Sequence, residues 1–215
     1  MLISHNYKFI TIDIPKTGTR SLRTTLLPLD IIDIVGVANR VDFQQHGKAI
    51  ECERDLKRLG YNFKDYFSFC VVRNPWDRYL SFFKYYKEKA EEYLKADQYD
   101  EWSEVKIAQG KSCVELIKNR NDQQILKIII LNNYCQSDFY LNADGEIMVS
   151  YIAEFANLKK EFDKFCTIVG VPIQELRHEN QTKIHMTAKE IYNQELIDLV
   201  TEKEKHVINM NKYII

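Results

Sequence analysis

The sequence predicts an α/β fold with a central parallel sheet flanked by helices. Two strand-to-helix junctions and one turn carry that expectation. The first junction is Ile10 to Leu22, ITIDIPKTGTRSL. There Ile10, Ile12 and Ile14 alternate with Thr11 and Asp13, Pro15 stops the ladder, Gly18 sits at the tight turn, and Leu22, Leu26 and Leu27 give the next helix an apolar side. The second junction is Phe67 to Tyr86, FSFCVVRNPWDRYLSFFKYY. Phe67 to Val72 is a continuous apolar run suited to a strand buried on both faces, and Asn74 with Pro75 supplies a helix cap and first turn. Along that helix Trp76, Tyr79, Leu80, Phe83 and Tyr86 recur at helical spacing and are expected inward. Asn74, Asp77, Arg78 and Ser81 make a separate polar stripe. The turn is Asp144-Gly145, which lies between alternating runs and reads as a C-terminal hairpin.

Both junctions suit anions. A helix N-terminus carries unpaired backbone N–H groups and partial positive charge, and Lys16, Thr17, Thr19, Arg20 and Ser21 add donors around it without any negative side chain. The order differs from the nucleotide loop GxxxxGK[ST], because here Lys precedes the only Gly. Arg73 stands at the carboxyl end of the second strand, where open α/β sheets bind ligands. A magnesium-dependent phosphoryl-transfer enzyme more often has an acidic metal ligand there. Two cationic sites at two strand ends imply one ligand with phosphate-like groups at two separated points.

IPKTGTRSL resembles the loop of the sulfotransferase superfamily that binds the 5′-phosphosulfate of 3′-phosphoadenosine 5′-phosphosulfate (PAPS), and VVRNPWDRYLSFF resembles its 3′-phosphate motif. The RNPWDR core and the Arg73 to Ser81 spacing are similar to the carbohydrate sulfotransferase branch, whose members share a P-loop-like fold. The resemblance implies that Lys16, Thr17, Gly18, Thr19, Arg20 and Ser21 hold the phosphosulfate and that Arg73 and Ser81 hold the 3′-phosphate. PAPS would be the co-substrate, with no metal, and the acceptor a hydroxyl or amine on a carbohydrate or other small molecule. In some branches a His upstream of the RNP strand removes the acceptor proton, which implicates His46, with Glu51 and Glu53 as fallback bases. Lys16 would stabilise charge on the leaving phosphate. The rivals are a nucleotide-dependent phosphotransferase and a nucleotide-binding module without turnover.

The chain of 215 residues is long enough for one domain, read as 1–215, with a substantial core. Its formal net charge of −1 gives no general affinity for nucleic acid or acidic membranes, so cationic character must be local. Five Cys lack CxxC spacing and read as reduced thiols. The N-terminus runs into the first strand with no basic-then-apolar leader, and no stretch approaches ~20 apolar residues. These features lead us to expect a cytoplasmic enzyme or an isolated catalytic domain, and leave the oligomeric state open.

Between the junctions, Pro28 to Val41 reads as a short strand or an ordered loop. Ala49 to Leu59 reads as a helix ending at Gly60, just after His46. Lys84 to Arg120 is expected to hold a helix continuation and a further helix around Ser112 to Asn119. Asn157 caps an amphipathic helix ending at Gly170, with Leu158, Phe162, Phe165, Cys166 and Val169 inward. The stretch Glu154-Phe155-Ala156-Asn157-Leu158 is similar to a family segment but differs at two polar positions. The tail has a polar loop containing His178, Lys183 and His185, then a helix using Leu196, Leu199 and Val200.

Overall fold

A computed structural model describes residues 1–37, 44–96, 103–177 and 182–215. In chain order the elements are β1 (Leu2–Ser4), β2 (Phe9–Ile12), α1 (Thr19–Leu26), β3 (Ile34–Val35), α2 (Ala49–Arg58), β4 (Phe67–Val72) and α3 (Pro75–Lys95). Then come α4 (Glu104–Ile117), α5 (Asp122–Asn132), β5 (Tyr151–Glu154), α6 (Leu158–Val169), α7 (Ala188–Ile191), α8 (Gln194–Lys203) and α9 (Lys205–Asn211). The chain divides into two compact units, Met1–Arg73 with Tyr134–Asn180, and Asn74–Asn133 with Gln181–Ile215.

The first unit holds a five-stranded sheet in the order β3-β1-β2-β4-β5. Strands β2, β4 and β5 are parallel, with Phe9 opposite Phe67 and Phe69 opposite Tyr151. The other side is antiparallel. Leu2 pairs with Thr11 and with Val35, so the N-terminal segment forms a hairpin with β2 where the hydrophobic pattern gave a single strand. Lys8, at φ 52, turns that hairpin in the left-handed region. Leu22 and Leu26 of α1, Phe162, Phe165 and Cys166 of α6, and Phe9, Phe69 and Val71 of the sheet share one core. Phe165 lies at its centre, 4.7 Å from the Phe69 ring and 5.2 Å, edge-on, from Phe9.

Pro28 to Val41 resolves into a 3-10 turn at Leu27–Leu29 followed by β3, with 38–43 outside the described residues. Leu27 is exposed, since α1 ends one residue before it. The Asp144-Gly145 turn forms with Gly145 at φ 80, and its flanks meet at a single bridge between Leu141 and Ile147.

The second unit is helical. Trp76, Tyr79 and Phe83 of α3, Leu126, Ile129 and Ile130 of α5, and Leu196 and Val200 of α8 form its core. The apolar run Ile125 to Leu131 is helical, opened by Asn121 and Gln124 in a capping box. Helix α4 begins at Glu104, capped by Ser103, earlier than the expected start near Ser112. Gly110 lets it approach α3, because a Cβ there would lie 2.4 Å from Tyr93 Cδ2.

Arg78 corrects the sequence reading. It is not part of an exposed polar stripe but fully buried, its Nη1 donating to Glu204 Oε1 at 3.0 Å. Tyr79 Oη donates to the same oxygen at 3.0 Å, and the guanidinium lies 5.3 Å from both the Tyr79 and Phe82 rings. Four of the five cysteines are buried, and none is in a disulfide. Among the described residues no helix is long and apolar enough to cross a membrane.

Candidate active site

The loop from Asp13 to Gly18 leaves the carboxyl end of β2 and delivers the chain to α1. Its backbone is strained in a specific way. Lys16 has φ 69 and Gly18 φ 84, while Thr17 between them is not in the positive region. Such an alternation of φ signs is the backbone pattern that, in general, turns successive N–H groups toward one side and suits an anion. Thr17 is fully buried, and its hydroxyl donates to the Ile14 carbonyl at 2.8 Å, closing the turn from inside. Gly18 is the N-cap of α1 and brings no side chain to cap the first turn, where no acidic residue occurs. Thr19 and Ser21 are buried within that turn, whereas Arg20 is exposed. An α-helix start of this kind attracts a phosphate or sulfate.

Asp13 braces the loop from beneath. Its buried carboxylate takes the Met1 ammonium, the Arg23 guanidinium at 3.1 Å and the Thr11 hydroxyl at 3.0 Å. Arg23 also donates to the carbonyls of Met1 and Gly36, at 3.1 Å each. The sequence pattern had given Asp13 only a place in an alternating strand.

His46 meets the same residue. Its Nδ1 lies 2.7 Å from the Asp13 carbonyl oxygen. A carbonyl only accepts, so the ring proton belongs on Nδ1 and Nε2 is the basic nitrogen. Burial of its inner side pushes the His46 pKa below the usual 6.5, outweighing the hydrogen bond to Asp13 and the Asp13 charge, which pull upward. The imidazole is therefore neutral at pH 7. Two residues on, the Lys48 ammonium lies 4.4 Å from the centre of the exposed Tyr134 ring. Glu51, a fallback base in the sequence, is committed to the Lys48 N–H at 2.8 Å.

Arg73 follows β4 directly. Its Nη1 donates to the Lys16 carbonyl at 3.3 Å, so the end of β4 touches the loop that follows β2. The guanidinium lies 4.5 Å from the Phe155 ring centroid. Gln136, wholly buried, accepts from the Arg73 N–H at 2.8 Å and donates to the Arg73 carbonyl at 2.9 Å. Phe155 and Gln136 were not identified as site residues from sequence; their signal is position after a strand and an isolated polar residue in an apolar stretch, neither distinctive alone. Ser81, half-buried, lies on α3 in the second unit. His178 falls outside the described residues.

A separate cleft of about 500 Å³ opens at the far end of α1, lined by Thr25, Pro28, Leu29, Gln174, Leu176 and Arg177. Among the described residues no group of three or more His, Cys, Asp or Glu is arranged to hold a metal ion.

No curated protein and no solved structure matches the chain. The model of the sulfotransferase family matches residues 1–214 and thus takes in both junctions and both units. With a left-handed, donor-rich loop and an arginine from the neighbouring strand set against it, the chain belongs to the sulfotransferase family.

Proposed function

We propose that this sulfotransferase takes PAPS as donor and moves its sulfuryl group to a hydroxyl or amine of a carbohydrate or other small molecule, working as a single catalytic domain in the cytoplasm. The observation that carries the donor reading is the contact between Arg73 and the Lys16 carbonyl. It brings the arginine that follows β4 against the loop that follows β2, at the ends of adjacent parallel strands, which supports a ligand with phosphates at both its 5′ and 3′ positions.

In this reading the N–H groups of residues 17–21 and the Lys16 ammonium hold the phosphosulfate, and Arg73 holds the 3′-phosphate, a role that the family motif shares with Ser81. His46 Nε2 accepts the acceptor's proton as the new oxygen–sulfur or nitrogen–sulfur bond forms and the bridging oxygen–sulfur bond of the donor breaks. The electron pair of that bond leaves with the phosphate. Lys16 and Arg20 offset its growing charge, so catalysis is mostly positioning and electrostatic stabilisation. The acceptor's approach past His46 would bring it beside the Lys48 and Tyr134 pair, whose ring face suits a sugar.

Melting in the presence of chelator tests the donor. At a hundredfold excess over Kd, adenosine 3′,5′-bisphosphate should add about 2.7 kcal/mol, which raises Tm by about 5–10 °C for a chain of this size. Stabilisation by magnesium-ATP and not by the bisphosphate would overturn the reading in favour of a phosphotransferase. Transfer of labelled sulfate to members of a glycan, phenol and lipid panel separates an enzyme from a binding module.

A further inference from the structure

Strand β4 pairs with β5 as far as Val72 opposite Glu154. Beyond that point a side chain continues the ladder. Gln136 presents the donor and acceptor of a peptide group and engages both the N–H and the carbonyl of Arg73, at 2.8 and 2.9 Å. Because the N–H can only donate and the carbonyl only accept, the amide orientation is fixed. Gln136 is completely shielded from water, which removes the competition that would weaken such a pair.

The guanidinium is held separately. Phe155, the first residue after β5, lies against it with 4.5 Å between the guanidinium carbon and the ring centroid. The same ring abuts the other loop, since a Cβ on Gly18 would fall 2.9 Å from Phe155 Cε2 and 2.7 Å from Leu158 Cδ2. One aromatic ring thus lies against both the Gly18 turn and the Arg73 side chain.

We infer that Phe155 and Gln136 are positioning residues that set the spacing of the two anion sites, and thereby the preference for a nucleotide carrying a 3′-phosphate over one that lacks it. The inference rests on the reading of Arg73 as the 3′-phosphate ligand. An arginine loses much rotamer freedom when it grips a phosphate; one already held by a ring and an anchored backbone loses less, so the gain appears only for ligands that reach it. The 5′ group, held by the Lys16 to Ser21 loop, depends less on that restraint.

The test is calorimetric binding of adenosine 3′,5′-bisphosphate and of 5′-AMP to the full chain, as wild type, Phe155→Leu, Gln136→Leu and Arg73→Ala. The expected result is a wild-type preference for the bisphosphate that falls roughly fivefold to twentyfold in Phe155→Leu, with a smaller change in 5′-AMP affinity. Gln136→Leu should act in the same direction, Phe155→Tyr should retain the preference, and Phe155→Leu should add nothing in the Arg73→Ala background. Where Leu is not tolerated at 155, Phe155→Met gives the same comparison. An unaltered preference in the position-155 and position-136 variants, or equal losses for both nucleotides, overturns the inference while the Arg73 reading stands. Absence of any preference in the wild type overturns the Arg73 reading itself and this inference with it.

Discussion

In its proposed role as base, His46 can act only while its ring is neutral. Burial holds its pKa below the usual 6.5, so the fall in turnover on the acid side, as the imidazole protonates, should have its midpoint below 6.5. A pH–rate profile checks this, and an acid midpoint above 6.5 contradicts it. His46→Ala should cost on the order of 10²–10⁴ in turnover and abolish the acid limb. Lys16 offers a second residue-level test through its backbone. At φ 69 a non-glycine residue is strained by roughly 1–2 kcal/mol, whereas glycine relieves that strain but adds about 0.5–1 kcal/mol of chain entropy to be lost on folding. Lys16→Gly should therefore melt within a few degrees of wild type, about 2–4 °C per kcal/mol, yet lose turnover. Retained turnover would refute the role of the ammonium.

At the level of elements, periodicity placed β4, α1, α2 and α6 within a residue or two, and Asn74, Gly60 and Gly170 marked helix ends as their chemistry requires. Arg78 was misread because its partner is 126 positions away. Spacing on one helix identifies a polar residue, but not whether a distant carboxylate will make its burial tolerable. Breaking that pair is expected to destabilise strongly. Glu204→Gln or Arg78→Met alone should cost about 3–5 kcal/mol, and the double change Arg78→Met with Glu204→Leu should lie closer to wild type. Urea midpoints of the three variants measure this; a double variant less stable than both singles would contradict it.

Across the whole molecule, the family match extends through both compact units, each with its own apolar core. The parts of the candidate site that the sequence pointed to are each contiguous. Lys16 to Ser21 and Arg73 announce themselves within a dozen residues, because a strand, a turn and a helix start are local events. The N-terminal hairpin, Gln136 and Phe155 were not legible. Each acts through pairing with residues far along the chain, and none has a composition that sets it apart from ordinary loop or edge residues.

Asp13 has a further consequence. The Asp13 carboxylate is already offset by Arg23 and the Met1 ammonium, so it leaves the donors of the loop above it unneutralised. Positive charge at the solvent face of the loop is then not cancelled from beneath. The protein can thereby concentrate positive potential at one spot although its overall charge is close to zero.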